Sequence, residues 1–310
     1  MLYLTEDDVR RLLPMADCIG LMRTVFTRLA AGEAINQPRR RLILPTRSTL
    51  HYMAGSDGRY FGAKIYASNP KHGAHFLFLL YRAEDAEPLA IIEANALGQI
   101  RTGAASGLAT SLMARPESGT LALIGSGYQA RTQLEAMFTA MPSIERVIVW
   151  SRSAEKREAF AREMTSLFGK PVETVETAEA AVRDVDILVT ATNSAEPVVE
   201  SSWIADGTHI NAMGSNQARR RELPSDLVAR AGLIAVDSIE QARMESGDLL
   251  LAFQEDDWRR VAELQEVAAG RVGRRSAGEI TLFKSNGLAV EDVIAAGLIY
   301  ERAVAAGSAK

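Results

Sequence analysis

The stretch Leu121-Ala122-Leu123-Ile124-Gly125-Ser126-Gly127-Tyr128-Gln129-Ala130 decides the fold of this chain. An apolar run ends at Gly125 and a helix-compatible run begins near Tyr128, so the pattern Gly-x-Gly-x-x-Ala predicts a strand, a tight turn and a helix. Gly125 permits the turn, Gly127 lets the backbone approach a pyrophosphate, and the helix N-terminus offers N–H groups to phosphate. The motif predicts a dinucleotide-binding βαβ unit; the alternative is a Gly-rich turn in an α/β domain that binds nothing.

Alternating elements follow this turn. Strands are expected at residues 147–150, 172–175, 187–190, 209–212 and 233–236, with helices at 128–140, 154–168 and 178–183. Alternation over about 120 residues predicts a doubly wound parallel sheet, a Rossmann α/β domain. Before it, two helices and several short strands separated by Gly and Pro turns predict an α+β domain with an antiparallel sheet. We therefore expect two domains: residues 1–115 with a C-terminal helix over about 288–310, and residues 116–287.

Composition excludes several classes of protein. The 310 residues are 47% hydrophobic and 24% charged, and Lys+Arg 35 against Asp+Glu 39 gives a net charge of −4. This balance argues against a nucleic-acid or anionic-membrane partner, and no apolar run approaches the length of a membrane span. Cys18 is the only cysteine. A reducing, cytoplasmic location is expected, because a single cysteine cannot form an intrachain disulfide and the acidic N-terminal segment lacks a signal pattern.

The end of the strand at residues 147–150 bears on the choice of nicotinamide cofactor. An NAD-selective site usually places a carboxylate there, on the ribose 2′-hydroxyl. This chain has Ser151-Arg152-Ser153 instead, and a guanidinium with two hydroxyls suits a 2′-phosphate. NADP(H) is therefore favoured. NAD(H) stays possible, because Arg152 can equally be a solvated residue at a helix start with Ser153 as its N-cap.

Three cations of the first domain are candidates for the substrate site. Lys64 lies in an apolar strand, Arg41 begins another strand, and Arg101 stands at the start of a small-residue helix. Two arginines and a lysine that converge would bind a carboxylate and leave one group for proton transfer; the alternative is that each is a surface cation. His72 and His75 lack a third ligand at metal-site spacing, so no metal is expected.

Several segments together resemble the ornithine cyclodeaminase/mu-crystallin family along almost the whole chain. They include residues 41–45, 62–66, 100–105, 210–216 and 280–285, besides the turn at Gly125. The resemblance implies a homodimer whose first domain binds substrate and dimerises, with a Rossmann domain for NAD(P). It implies Arg41, Met53, Lys64, Arg101 and Asn216 as substrate-site residues, of which Arg41, Lys64 and Arg101 would be catalytic. The residues expected at the cofactor are Thr102, Gly125, Gly127, Gln129, Ala130, Ser151, Arg152, Ser153, Thr192, Met213 and Gly214.

One departure from the family pattern concerns the turn Gly214-Ser215-Asn216. Cyclodeaminases carry an aspartate where Asn216 stands, and an amide cannot act as a base near neutral pH. The resemblance therefore favours an NAD(P)H-dependent oxidoreductase that transfers hydride to a small cyclic α-imino acid, such as pyrroline-2-carboxylate or piperideine-2-carboxylate. The alternatives are an ornithine cyclodeaminase, an alanine-type amino-acid dehydrogenase, and a non-catalytic NADPH-binding protein.

Overall fold

The computed structural model describes residues 1–307, which form two compact units. The first unit comprises Met1–Arg101 and the chain from Gly287 onward, and the second comprises Thr102–Asn286. The two-domain α/β architecture expected from the sequence is present. Residues 308–310, the end of the expected C-terminal helix, lie outside the described part.

The first unit is built on a six-stranded sheet. Its elements are β1 (Leu2–Leu4), α1 (Glu6–Leu12), α2 (Met15–Ala31), β2 (Ile35–Ile43), β3 (Thr49–Ser56), β4 (Tyr60–Asn69), β5 (Gly73–Arg82), β6 (Pro88–Glu93) and the start of α3 (Asn95–Met113). The strand order is β1-β6-β5-β4-β3-β2. The expectation of an antiparallel sheet was wrong at one edge, where β1 pairs with β6 in parallel. Strand β1 has only three residues, and Thr5, the N-cap of α1, follows it directly. Neither a turn nor a periodic pattern therefore marked it in the sequence.

The second unit holds an eight-stranded sheet in which every pairing is parallel. Its order is β13-β12-β14-β11-β10-β7-β8-β9, so the chain winds outward on both sides of β7. The elements are β7 (Thr120–Ile124), α4 (Tyr128–Ala140), β8 (Arg146–Trp150), α5 (Ala154–Phe168), β9 (Val172–Thr174), α6 (Ala178–Val182), β10 (Ile187–Thr190), β11 (His209–Ala212), α7 (Ser225–Arg230), β12 (Leu233–Val236), α8 (Ile239–Glu245), α9 (Gly247–Leu250), β13 (Val261–Glu263), α10 (Leu264–Ala268) and β14 (Thr281–Lys284). All residues of β10, β11, β12 and β14 are buried, as both-face coverage by helices requires.

The last helix, α11 (Ala289–Ala305), returns to the first unit. It packs against β3, β4 and α2, and its first eight residues are all buried. Two of these eight, Glu291 and Asp292, are acidic and have no exposed surface. Charges are rarely buried unless they are paired, so these two carboxylates point to a cluster of opposite charges in the first unit.

The boundary between the units falls inside α3, earlier than the expected boundary at residue 115. The C-terminal part of α3 bonds to second-unit residues: Asn211 Nδ2 donates to Thr110 Oγ1 at 2.8 Å, and Arg274 Nε donates to the Met113 carbonyl at 2.8 Å. These bonds explain the difference. Pro116 and Gly119 indicate in the sequence where the helix ends, whereas side-chain contacts decide to which unit the end of the helix belongs.

Among the described residues, no helix is both long and apolar enough to cross a membrane.

Candidate functional site

The cofactor half of the predicted site lies at the carboxyl ends of β7, β8 and β10. Gly125 adopts a φ of +117°, and a Cβ there would collide with the Ala191 carbonyl, so only glycine fits the turn. Gly127 precedes α4 and has no side chain to cap it, which leaves the first N–H groups of α4 for a ligand. The strand–turn–helix prediction for this stretch is confirmed.

A cavity of about 850 Å³ opens at this turn. Its size and position suit a dinucleotide, since open parallel sheets bind ligands outside the carboxyl ends of their strands. It is lined by eight residues that the sequence predicted: Gly125, Gly127, Gln129, Ser151, Arg152, Ser153, Thr192 and Gly214. Of the other three, Ala130 is buried in α4, Met213 is 8% exposed after β11, and Thr102 is half-buried with its carbonyl accepting from Gln133 Nε2 at 3.4 Å. These three do not line the cavity.

Side chains at the end of β8 form the cavity wall that the sequence assigned to the 2′-phosphate. Ser126 Oγ donates to Ser151 Oγ at 2.9 Å, and Arg152 Nη2 donates to Asn193 Oδ1 at 3.2 Å. Ser153 Oγ accepts from the Lys156 N–H at 3.3 Å, so it is the N-cap of α5. Lys156 also lines the cavity and adds a second cation that sequence reasoning missed.

A buried carboxylate joins two of the loops that border this cavity. Glu222 Oε1 accepts from the Thr192 N–H at 2.7 Å, and Oε2 accepts from the Gly214 N–H at 2.7 Å and from Thr190 Oγ1 at 2.9 Å. Burial raises the pKa of Glu222, and the nearby Lys284 opposes that shift. Glu222 thus fixes the spacing of the loops after β10 and β11.

A buried ion pair supports the same region. Lys284 Nζ lies 3.0 Å from Asp248 Oδ2 and donates to the Ser215 carbonyl at 2.5 Å. Asp248 Oδ1 accepts from the backbone N–H groups of Glu222 and Leu223 at 2.6 and 2.9 Å. The half-buried Asn216 follows Ser215 directly, so this ion pair holds the loop that carries it. Sequence analysis missed this cluster; a lysine at the end of a buried strand is the signal that could have identified it.

The substrate half of the predicted site lies in the first unit, around Lys64. Its Nζ is 2.9 Å from Asp292 Oδ1, and Arg101 Nε is 3.2 Å from the same oxygen. Arg101 Nη1 also pairs with Glu291 Oε2 at 2.9 Å. Lys64 and Arg101 are only 3% and 5% exposed, so neither is the surface cation of the alternative interpretation.

The sheet places the remaining predicted substrate residues differently. Met53 is 2% exposed and is the register partner of Lys64 across β3 and β4. Arg41 is exposed on β2 opposite His51, whose pKa falls to about 4 because of burial first and then the charges of Arg41 and Arg39. The buried arginine of this strand is Arg39, 5% exposed, which is not among the residues predicted for the substrate site. A register irregularity between Gln37 and Arg40 hides the strand's alternation.

The chemistry of this cluster follows from its burial. Burial lowers the pKa of Lys64 to about 8, while Asp292 raises it and Arg101 and Arg39 lower it further. Gly98 and Gly287 make room for the two cations, because a Cβ at Gly98 would lie 2.5 Å from Lys64 Nζ and one at Gly287 would overlap the Arg101 guanidinium. A buried lysine with a pKa near neutrality, beside an arginine, can bind a carboxylate and move a proton.

Other candidates carry no such arrangement. His72 and His75 are exposed at the β4–β5 hairpin, and within residues 1–307 no group of three or more His, Cys, Asp or Glu side chains is placed to hold a metal ion. Cys18 is a buried free thiol in α2.

The chain is similar to several known proteins. Residues 1–307 match the model of the "Ornithine cyclodeaminase/mu-crystallin family". A Delta(1)-pyrroline-2-carboxylate reductase of Bacillus cereus is 36% identical over 99% of this chain and 98% of its own. The structure of Thermococcus litoralis Delta(1)-pyrroline-2-carboxylate reductase with NADH and L-proline has a TM-score of 0.93 at 36% identity, covering 99% of this chain and 98% of that one. An archaeal alanine dehydrogenase dimer with bound NAD has a TM-score of 0.93 at 32% identity, covering 99% and 97%. The chain belongs to the ornithine cyclodeaminase/mu-crystallin family.

Proposed function

We propose that this protein is an NAD(P)H-dependent reductase of small cyclic α-imino acids, such as pyrroline-2-carboxylate or piperideine-2-carboxylate. The observation that carries the proposal is the buried pair of Lys64 and Arg101, whose positive charges meet at Asp292 Oδ1. The second unit adds a cavity whose glycine turn and helix start suit a dinucleotide. Similarity to pyrroline-2-carboxylate reductases from two organisms supports the substrate class.

In this proposal Arg101 and the Lys64 ammonium bind the substrate carboxylate, and Met53 lies beside Lys64. Arg41, which is exposed on β2, stays a predicted second anchor. Lys64 gives a proton to the imine nitrogen while the adjacent carbon receives hydride, so the C=N bond becomes H–C–N–H. A reduced nicotinamide, when bound, would supply that hydride. A pKa of about 8 leaves Lys64 charged at neutral pH yet close enough to neutrality to donate.

We propose that the cofactor is NADP(H) in preference to NAD(H). The end of β8 would carry a carboxylate in an NAD-selective site. Here Ser151, Arg152 and Ser153 follow β8 instead, and Lys156 lines the same cavity. Arg152 Nη2 donates to Asn193 Oδ1 at 3.2 Å, and both residues line the cavity. The solved relatives with NADH and NAD make NAD(H) use the competing outcome.

A homodimer is proposed for the first unit. Several large apolar side chains of its sheet are exposed: Ile35 65%, Leu42 56%, Ile43 69%, Leu50 38%, Tyr52 48% and Leu77 42%. Exposed apolar patches of this kind mark protein interfaces, and one relative is described as a dimer. A cytoplasmic location stays a proposal, consistent with Cys18 as a free thiol.

A second candidate is an alanine-type dehydrogenase acting on a linear substrate, which the archaeal alanine dehydrogenase relative favours. Ornithine cyclisation is disfavoured because Asn216 replaces the aspartate of the cyclodeaminase pattern. A non-catalytic NADPH-binding protein would keep the cavity and lose turnover.

The test is nicotinamide oxidation by the purified protein with pyrroline-2-carboxylate, in parallel with NADPH and NADH. Pyruvate with ammonia tests the linear substrate, and L-ornithine with NAD tests cyclisation through proline and ammonia release. Rapid NADPH loss with the cyclic imine alone supports the proposal. Proline from ornithine, or turnover with pyruvate and ammonia only, would refute it.

A further inference from the structure

The first unit buries two adjacent carboxylates on α11. Glu291 and Asp292 have no exposed surface. Asp292 Oδ1 serves both cations, accepting from Lys64 Nζ at 2.9 Å and from Arg101 Nε at 3.2 Å. Within residues 1–307, the second oxygen of Asp292 is buried without a hydrogen-bond partner. An acid held this way is costly to the fold, so its presence beside Lys64 calls for an explanation beyond packing.

The charges that face Lys64 come from three other elements. Arg39 of β2 and Arg101 of α3 both oppose its protonation, whereas Asp292 of α11 favours it through charge and a hydrogen bond. The Phe76 ring of β5 lies 5.7 Å from Nζ, and Glu291 of α11 pairs with Arg101. Burial acts in the same direction as the two arginines. Asp292 therefore opposes the two arginines and the effect of burial on the pKa of Lys64.

Resting on the proposed function, we infer that Asp292 is a positioning residue that keeps Lys64 in its charged, proton-donating form. Asp292 touches no reacting atom in this role. Its carboxylate stabilises the Lys64 ammonium and aims it, and the ammonium then binds the substrate carboxylate and supplies the proton. Without that negative charge, burial and the two arginines would lower the pKa of Lys64 further. Lys64 would then release its proton at lower pH.

The neighbouring acid has a separable task. Glu291 Oε2 pairs with Arg101 Nη1 at 2.9 Å, so it orients the guanidinium fork that binds the carboxylate. Removal of its charge is expected to weaken substrate binding at every pH. Loss of Asp292 is therefore expected to change the pH dependence, and loss of Glu291 is expected to change affinity alone. A purely structural role for α11 would not separate these two effects.

The experiment compares wild type, Asp292→Asn, Glu291→Gln and the control Glu301→Gln between pH 6 and 10. Glu301 is on the same helix, but its carboxylate is 38% exposed and pairs with Arg59 and Tyr60. Two quantities are measured: kcat/KM for pyrroline-2-carboxylate with NADPH, and the Kd of pyrrole-2-carboxylate for the protein saturated with NADP⁺. The second readout needs no turnover. Any titration of the ligand itself is common to all four proteins and cancels.

Wild type and Glu301→Gln are expected to lose activity and pyrrole-2-carboxylate affinity as the pH rises through the pKa of Lys64. We call this loss at high pH the alkaline limb of the profile. In Asp292→Asn the alkaline limb is expected to move to lower pH by about one unit or more, the size of shift that an adjacent opposite charge produces. Asparagine keeps the accepting oxygen, so geometry is preserved. Glu291→Gln is expected to raise Kd without moving the limb.

An unmoved alkaline limb in folded Asp292→Asn overturns the inference, while wild-type turnover of pyrroline-2-carboxylate would leave the proposed function standing. Absence of wild-type turnover refutes the function alone, provided that the Kd limb still shifts. A wild type that does not bind pyrrole-2-carboxylate at any pH overturns both. If Asp292→Asn does not fold, Lys64→Met/Asp292→Asn is expected to recover folding by circular dichroism, since both charges are gone; failure to recover overturns the inference.

Discussion

Replacement of Glu222 by glutamine is expected to weaken both the second unit and its cofactor binding. The carboxylate accepts three hydrogen bonds, from Thr190 Oγ1, the Thr192 N–H and the Gly214 N–H. An amide retains only one oxygen. In its best orientation that oxygen keeps the two bonds at Oε2, and the NH₂ group then faces the Thr192 N–H, so two donors oppose each other in a buried place.

The magnitude follows from this count. One charge-assisted bond is lost, worth about 1.5–3 kcal/mol, and a buried N–H is left unsatisfied at a cost of about 1–3 kcal/mol, partly overlapping the first. We expect the free energy of unfolding to fall by about 2–4 kcal/mol. Thr192 and Gly214 both line the cavity proposed to bind the cofactor. If the loops adopt their binding conformation less often, the apparent Kd for NADPH rises, by about 5- to 30-fold for 1–2 kcal/mol.

The assay is urea unfolding together with titration of NADPH by its fluorescence. Glu240→Gln is the matched control, because Glu240 belongs to the same unit and is exposed but does not line the cavity. It should leave both quantities unchanged. A Kd in Glu222→Gln equal to that of wild type would refute the claim that this carboxylate sets the cofactor loops, and an equal rise in the control would assign the effect to net charge alone.

Three further outcomes follow. Lys64→Ala is expected to lower kcat/KM for pyrroline-2-carboxylate by at least about 100-fold, the usual contribution of a proton-transfer group, while the NADPH Kd stays within about twofold; steady-state kinetics with retained turnover would contradict the role of Lys64. Arg152→Asp is expected to shift the ratio of kcat/KM for NADPH over NADH toward NADH by about tenfold or more, since the proposed charge-assisted contact with the 2′-phosphate would be lost; an unchanged ratio would contradict a role for Arg152 in cofactor binding. Ile43→Asp, placed among the exposed apolar side chains of β2, is expected to convert a dimer to monomer in analytical ultracentrifugation, and a wild-type monomer would end the dimer proposal.

Local sequence determined the central part of the second unit. Residues 121–130 contain the strand, the glycine turn and the helix start, because the backbone conformation of the turn requires glycine at residue 125 whatever surrounds it. The alternation of apolar strands and amphipathic helices after it is equally local, and it predicted the parallel sheet. Family membership could also be predicted, since several separate segments match in order.

The weakly periodic edges escaped prediction. Strands β1 and β13 have three residues each. Strand β9 is equally short, but the alternation of strands and helices around it indicated its position. The unit boundary inside α3 depends on bonds from Asn211 and Arg274, which are distant in sequence.

The sequence placed Lys64 and Arg101 as candidates, but only the tertiary structure decided what surrounds them. Asp292 is 228 positions from Lys64 in the chain. An acidic residue in a largely apolar helix is the sequence signal that could have identified it. Arg39 rather than Arg41 is the buried arginine of β2, because an irregular register overrides simple alternation. Chemistry here depends on charges brought together from β2, β4, α3 and α11, and the low dielectric of a buried cluster, which shifts a lysine pKa to about 8, exists only once those elements have packed.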